Sequence, residues 1–191
     1  LIIVTDLDGT LLDHETYHFD AAQPALEMIR KLDIPLILNS SKTALEMQSL
    51  QQQLDNHHPY VVENGSGLYL GSDDQQPVIF GKQRAFILDV LAKLRQQAGY
   101  VFTGFHDMNS QQLMDCTGLS AEAARSALQR DFTEPLSWQD DDPKWQQFCT
   151  DLEHVGLTVL KGGRFHTVSG KVDKGQAVSW LRQYYREKTG M

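Results

Sequence analysis

The sequence predicts an α/β fold in which helices flank a parallel sheet. Short runs of apolar, β-branched residues alternate with longer segments whose apolar residues recur every three or four positions, as in strands followed by amphipathic helices. The first run, residues 1–4, is followed after one threonine by a short segment with two aspartates and a glycine. Because ligands bind at the carboxyl ends of strands in open α/β sheets, we expect this strand to end in an active site.

Composition limits the classes of protein that fit. The 191 residues suffice for one domain or for a core with a modest insert. With 25 acidic and 17 basic residues the formal charge is −8, and we expect no nucleic-acid partner. We expect a cytoplasmic protein without a membrane partner, because no apolar run is long enough for a span and no signal-peptide pattern is present. Cys116 and Cys149 are expected to be reduced thiols, although a single disulfide stays open, and the oligomeric state is not indicated.

Asp6 and Asp8 are the first candidates for catalysis. Alternate residues share a side of an extended strand, so both carboxylates can face one crevice while Leu7 turns into the core. Two neighbouring acids repel each other unless a cation neutralises them or one stays protonated. Mg²⁺ prefers such oxygen ligands, and one aspartate can attack phosphorus while the other transfers protons. The alternative is a surface turn with solvated acids.

The segment from Asp6 to Leu12 resembles the first motif of the haloacid dehalogenase superfamily, whose members are mostly Mg²⁺-dependent phosphatases. The resemblance implies a Rossmann-like core with a parallel sheet. It also implies that Asp6 is the nucleophile that forms an aspartyl phosphate, that Asp8 is the general acid/base, and that both bind the metal.

A second strand is predicted over residues 34–38, after a helix that begins near Asp20, and it ends beside Ser40 and Lys42. A hydroxyl and an ammonium at this point suit a phosphate or carboxylate, but on the residues alone an ordinary helix cap is the preferred explanation. The resemblance favours the first interpretation, because Ser40 matches the superfamily's second motif, which holds the transferred phosphoryl group.

A hairpin is predicted over residues 59–70, with a turn that contains Asn64 and Gly65. This turn resembles a segment of the sugar-phosphatase branches that carry a large cap between their second and third motifs. Asn64 and Gly65 are therefore candidates for substrate binding.

The resemblance also implies an inserted α+β cap of the C2 type, which we assign to residues 82–161, with the core at 1–81 and 162–191. Within the insert, apolar periodicity and capping residues predict four helices, near residues 87–98, 111–116, 121–129 and 142–155. Strands are expected at 100–105 and 132–138, and a hairpin over 157–168 is expected to lead back to the core.

Four segments resemble the mannosyl-3-phosphoglycerate phosphatase branch: Thr117–Leu119, Arg130–Pro135, Gly162–Phe165 and Asp173–Gly175. The branch implies Mg²⁺-dependent release of phosphate from mannosyl-3-phosphoglycerate, or another glycosyl-3-phosphoglycerate, in mannosylglycerate biosynthesis. We accordingly assign Lys42, Arg130 and Arg164 to an anionic substrate. Residue chemistry alone leaves Arg164 evenly divided between this role and that of a solvated surface charge.

Lys174 precedes a predicted helix with apolar positions from Ala177 to Tyr185. It matches the third-motif lysine of the superfamily, which would stabilise the phosphoryl oxygens and reduce the repulsion between the two aspartates. Lys171 is a competing candidate whose spacing fits the family less well.

The family's fourth motif, an acidic turn with further Mg²⁺ ligands, is expected after residue 190, and the sequence ends at Met191. We therefore expect a chain truncated before that motif. Two alternatives stay open: another sugar-phosphate phosphatase or phosphomutase of the superfamily, and a catalytically silent ligand-binding homologue.

Overall fold

A computed structural model describes residues 1–13, 16–71 and 76–189. The chain forms two compact units. The first comprises Leu1–Lys42, Met47–Phe80 and Asp173–Met191, and the second comprises Thr43–Glu46 and Gly81–Val172. Within the described ranges, no helix is long and apolar enough to cross a membrane. Cys116 and Cys149 are both unbridged.

The first unit contains a five-stranded mixed sheet with the order β1-β2-β3-β4-β5. Its strands are β1 (Ile3–Thr5), β2 (Leu36–Asn39), β3 (Tyr60–Val62), β4 (Gly67–Tyr69) and β5 (Val78–Ile79). The first three strands run parallel and the last two are antiparallel to their neighbours. The predicted α/β class is therefore confirmed, and the carboxyl ends of β1, β2 and β3 lie at one edge of the sheet.

Helices α1 (Gln23–Lys31) and α7 (Lys174–Thr189) belong to the chain segments of this unit, as does α2 (Ala44–Gln53) from Met47 onward. The apolar core of the sheet is formed by Ile37, Val61 and Leu68, together with Ala177 and Leu181 of α7. All five side chains are fully buried. Burying them fixes α7 against the sheet, and this sets the position of the residue that begins the helix.

The second unit contains a four-stranded antiparallel sheet with the order β6-β7-β9-β8. Its strands are β6 (Phe102–Gly104), β7 (Thr133–Trp138), β8 (Leu157–Lys161) and β9 (His166–Gly170). The helices are α3 (Arg84–Ala98), α4 (Ser110–Thr117), α5 (Ala121–Leu128) and α6 (Asp142–His154). Capping residues explain several of these boundaries: the Ser120 hydroxyl accepts from the Ala123 N–H at the start of α5, and Gly99 ends α3 with a φ of 68°.

One side of this sheet packs against α3 and α6. The core includes Ile87 and Leu91 of α3, Phe148 and Leu152 of α6, and Leu136 of β7. The aromatic side chain of Phe148 is fully buried, as expected for a core residue rather than a ligand platform. A second cluster joins α4 and α5 through Leu113 and Ala124.

The boundary between the two units differs from the sequence prediction at one end. We expected the core to resume at Gly162, whereas residues 162–172 belong to the second unit and the first resumes at Asp173. The reason is strand pairing, because β9 is hydrogen-bonded to β7 on one side and to β8 on the other. The predicted hairpin exists, but it completes the four-stranded sheet.

Candidate active site

The two aspartates follow the last residue of β1. Leu7, between them, is fully buried, so the alternation of the strand leaves the carboxylates of Asp6 and Asp8 on the accessible side. Gly9 then reverses the chain with a φ of 70°, a conformation that glycine adopts without steric cost. The Leu7 carbonyl accepts from the N–H groups of Thr10 and Leu12. This closed turn fixes both acids at the strand end.

Each aspartate is paired with a lysine from another segment of the chain. The Lys174 Nζ donates to Asp6 Oδ1 at 2.8 Å. The Lys42 Nζ lies 3.2 Å from Asp8 Oδ1. These four side chains form two ion pairs at one edge of the sheet, and the lysines offset the repulsion that two adjacent carboxylates would otherwise have.

The environment keeps Asp6 ionised. Burial raises the pKa of the Asp6 carboxyl, but the hydrogen bonds from Lys174 and from the Leu7 N–H, with the charges of Lys174 and Lys42, outweigh it. The pKa therefore lies below its ordinary value. A carboxylate that is half-exposed and ionised at neutral pH has the protonation state that a nucleophile requires.

Lys174 is the first residue of α7, where the helix dipole disfavours a cation. Asp173 compensates locally, because its Oδ1 accepts from the N–H groups of Gly175 and Gln176 in the first turn. The pairing of Lys174 with Asp6 supplies a second negative partner. For Lys171, the alternative candidate, no contact with Asp6 or Asp8 is found among the described residues.

Ser40 follows β2, the neighbour of β1 in the sheet. The register pairs Thr5 with Leu38, so Ser40 and the aspartates lie beyond the ends of adjacent parallel strands. Ser40 is fully buried, and its hydroxyl accepts from the Lys42 N–H at 3.3 Å. That hydrogen bond shapes the turn that carries Lys42.

Asn64 and Gly65 lie in a short 3-10 turn, Glu63–Gly65, between β3 and β4. Asn64 has a left-handed φ of 61°, and its N–H donates to the Ser40 carbonyl at 2.9 Å. Gly65 is buried with a φ of 96°, and a Cβ there would lie 2.4 Å from the Asp173 carbonyl oxygen. The turn thus connects the segment after β2 with the start of α7, and Gly65 contacts backbone rather than open space.

Arg130 and Arg164 belong to the second unit, and each has a hydrogen bond there. The Arg130 Nε donates to the Thr133 hydroxyl at 2.8 Å. The Arg164 Nη1 donates to the Thr117 carbonyl at 2.9 Å, at the C-terminus of α4, where a cation is stabilised by the helix dipole. Arg164 therefore has a structural contact in addition to its predicted role, and that role stays a prediction.

Sequence reasoning missed two residues at this edge. Asn39, the last residue of β2, donates through Nδ2 to the Lys174 carbonyl. Tyr17 has a φ of 58°, rare for an aromatic residue, and its ring centroid lies 5.5 Å from the Lys42 Nζ. A polar residue inside an otherwise apolar strand was the available signal for Asn39, whereas no periodic pattern marks Tyr17.

Asp6 and Asp8 are the described residues that could hold a divalent cation. No group of three or more histidine, cysteine, aspartate or glutamate side chains with metal-site geometry occurs in the described ranges. The Asp6 carboxylate and the Asp8 backbone carbonyl at a strand end nevertheless suit Mg²⁺, which commonly binds through one or two carboxylates and completes its shell with water and phosphate oxygens. The donor set therefore fits Mg²⁺ better than Zn²⁺, which prefers nitrogen and sulfur ligands.

Comparison with known proteins agrees with this geometry. A family model described as haloacid dehalogenase-like hydrolase matches residues 3–85. The glucosyl-3-phosphoglycerate/mannosyl-3-phosphoglycerate phosphatase of Methanococcoides burtonii is 34% identical over 200 residues, with 98% of this chain and 74% of that protein covered. The Persephonella marina protein of the same name is 35% identical over 207 residues, with 100% and 74% covered.

The fold is shared with solved structures of low sequence identity. A haloacid dehalogenase-like hydrolase from B. subtilis superposes with a TM-score of 0.68 at 16% identity, over 97% of this chain and 79% of that one. This likeness concerns the fold, whereas the two phosphatase relatives carry similarity through the whole sequence. Together with the aspartates at the end of β1, they show that the chain belongs to the haloacid dehalogenase-like hydrolases.

Proposed function

We propose that this chain is a Mg²⁺-dependent phosphoric monoester hydrolase that releases phosphate from a glycosyl-3-phosphoglycerate, with the mannosyl compound as a substrate. The observation that carries the proposal is the ion pair between Asp6 and Lys174, which holds an ionised carboxylate at the end of β1. Both relatives named above are glucosyl-3-phosphoglycerate/mannosyl-3-phosphoglycerate phosphatases, and this supports the choice of substrate.

In the first step, an Asp6 carboxylate oxygen attacks phosphorus. A new O–P bond forms on Asp6 while the bond between phosphorus and the glycerate oxygen breaks. Asp8 acts as the general acid in its protonated form and gives its proton to the departing oxygen, so the glycosylglycerate leaves with a neutral hydroxyl group. The ion pair between Asp8 and Lys42 must therefore open before this step. Lys174 and the Ser40 hydroxyl stabilise the charge on the phosphoryl oxygens.

In the second step, water attacks the phosphorus of the aspartyl phosphate. Asp8, now a carboxylate, accepts a proton from the water, and inorganic phosphate departs as Asp6 regains its carboxylate. Asp8 is thus a proton donor in the first step and a proton acceptor in the second. The spacing of one residue between Asp6 and Asp8 allows both to reach the same phosphoryl group.

Asp6, through its carboxylate, and Asp8, through its backbone carbonyl, would hold the Mg²⁺. When bound, the cation supplies positive charge that neutralises the carboxylates and the substrate phosphate. The lysines contribute charge in the same direction, and Lys42 is assigned to the anionic substrate next to Asp8. Substrate roles for Asn64, Gly65, Arg130 and Arg164, like a cytoplasmic location, remain predictions.

The decisive experiment is the exchange of Asp6 for asparagine. Asp6→Asn keeps the size of the side chain but removes the nucleophile, so release of phosphate from mannosyl-3-phosphoglycerate should fall to background in an assay with Mg²⁺. Asp20→Asn is the matched control, because Asp20 is an exposed carboxylate whose ion-pair partner is His18. Turnover by Asp6→Asn equal to that of the control would refute the assignment.

The alternatives separate in two further measurements. A substrate panel that shows preference for a simple hexose phosphate would indicate another sugar-phosphate phosphatase or a phosphomutase. Calorimetry with Mg²⁺ and vanadate tests the silent homologue, because a protein without a working phosphoryl site should show no metal-dependent binding of this phosphate mimic.

A further inference from the structure

Asn39 is a polar residue in a strand whose other residues are apolar and buried. It ends the fully buried strand β2 and is itself only 4% exposed. Its Nδ2 donates to the backbone carbonyl of Lys174 at 3.3 Å. Its Oδ1 is buried and has no hydrogen-bond partner in the part of the chain that the structure describes.

The orientation of this amide follows from its one partner. A backbone carbonyl only accepts hydrogen bonds, so the amide nitrogen must face Lys174 and the oxygen must point away. Burying an amide oxygen without a partner is costly, and an apolar residue of similar shape would avoid that cost. Stability of the strand therefore does not account for an asparagine here, whereas the contact with Lys174 does.

The peptide group on the other side of Lys174, between Asp173 and Lys174, is contacted by a second residue. At Gly65 a Cβ would lie 2.4 Å from the Asp173 carbonyl oxygen and 2.9 Å from the Lys174 nitrogen. Gly65 thus allows the turn after β3 to touch the backbone of Asp173 and Lys174, while Asn39 bonds to the carbonyl of Lys174. The last residue of β2 and the turn after β3 therefore both contact the main chain of Lys174, the first residue of α7.

We propose that Asn39 is a positioning residue for phosphoryl transfer. It fixes the main chain of Lys174 so that the ammonium stays on Asp6, where the Nζ–Oδ1 distance is 2.8 Å. Asn39 acts through Lys174, not on the phosphoryl group. This inference rests on the proposed function, since it assigns a task within the same site.

The test compares two buried asparagines. Asn56 is 7% exposed, and its Nδ2 donates to the Leu36 carbonyl at 3.0 Å, a bond of the same type without contact to Lys174. Asn39→Leu should lower kcat by about 10- to 100-fold, because a misplacement of about 1 Å in a catalytic group has effects of this size. KM should stay near that of the wild type. Asn56→Leu should lose thermal stability to a similar degree and keep kcat.

A double-mutant cycle shows whether Asn39 acts through Lys174. In a Lys174→Met background, Asn39→Leu should cause no further loss of kcat, because the group that it positions is gone. Asn39→Ser, which removes the amide nitrogen without adding bulk, supplies the same comparison if the leucine variant does not fold. Additive losses in the cycle, or a kcat for Asn39→Ser equal to the wild type, would overturn the inference.

Failure of the proposed function has a different signature. If Asp6→Asn retains turnover, the site does not perform the proposed chemistry, whatever the Asn39 variants do. If Asp6→Asn is inactive while the Asn39 variants match Asn56→Leu, only the positioning role is wrong.

Discussion

Replacing Gly65 with alanine should displace the start of α7, because the added Cβ would collide with the main chain of Asp173 and Lys174. The added Cβ would lie 2.4 Å from the Asp173 carbonyl oxygen, whereas ordinary contacts begin at 3.4 Å, so the two segments must separate by about 1 Å. The φ of 96° adds strain, since side chains rarely adopt it. Strain of about 1–2 kcal/mol and overpacking of about 1–3 kcal/mol together predict a loss of roughly 2–5 kcal/mol in the free energy of unfolding.

Gly65→Ala should lower kcat more than a substitution elsewhere in the protein that reduces the free energy of unfolding by the same amount. A displacement of Lys174 by about 1 Å predicts a kcat about 100-fold lower. Gly99→Ala is the control, because Gly99 also has a positive φ, 68°, but no heavy atom lies within 4 Å of its added Cβ. Urea unfolding and phosphate release are measured for both variants. A Gly65→Ala protein that is as active as Gly99→Ala would refute the inference that the turn positions Lys174.

Two further predictions concern the second unit. Arg84→Leu should lower the free energy of unfolding by about 3–5 kcal/mol, because it leaves the Glu134 carboxylate, 1% exposed and bonded to Arg84 at 2.7 Å, without its cation. Urea unfolding measures this loss. Burial and the hydrogen bond to Asp151 raise the pKa of Tyr100 to about 12. Above about pH 10 the unfolded chain loses this proton while the folded protein keeps it, so stability should fall as the pH rises from 10 to 12. Urea titrations at about pH 9 and about pH 11 measure that fall, and Tyr100→Phe should reduce it.

Each of these predictions has its own control. Lys93→Ala removes an exposed ion pair with Asp89 and should change stability by no more than about 0.5 kcal/mol. An Arg84→Leu protein with an equally small change would contradict the argument from burial. For Tyr100, the comparison is between wild type and Tyr100→Phe at the same pH, so contributions from other tyrosines cancel. If the free energy of unfolding falls equally with pH in both proteins, the pKa of Tyr100 is not raised in the folded state.

The features that the sequence predicted well depend on neighbouring residues. The acids after β1 follow from a strand, a glycine and the alternation of side chains, all within ten positions. The start of α5 at Ser120 and the end of α3 at Gly99 follow from capping chemistry, which requires one turn of helix. These features depend only on residues that are close together in the sequence, so contacts between distant segments have little effect on them.

The features that it missed depend on partners far away in the chain. The pattern of residues 157–168 predicts a hairpin but does not indicate which sheet receives it, and pairing with β7 decided that question. The apolar run at the start of the chain also does not indicate where its strand lies in the sheet: Ile3 and Val4 are half-buried, because β1 ends the order of strands found among the described residues. Nothing in the local sequence distinguishes Asn39 from other polar residues at strand ends, because its partner Lys174 lies far away in the chain.

The same distinction bears on when the active site forms. Asp6 and its turn are local, but Lys174 is 168 residues away in sequence. Before α7 docks, Asp6 lacks the hydrogen bond and the positive charge of Lys174, two of the influences that lower the pKa of its carboxyl in the folded protein. Docking of α7 depends on Ala177 and Leu181, which are fully buried against the sheet. The apolar face of the last helix is therefore as necessary to the ion pair between Asp6 and Lys174 as the lysine that begins that helix.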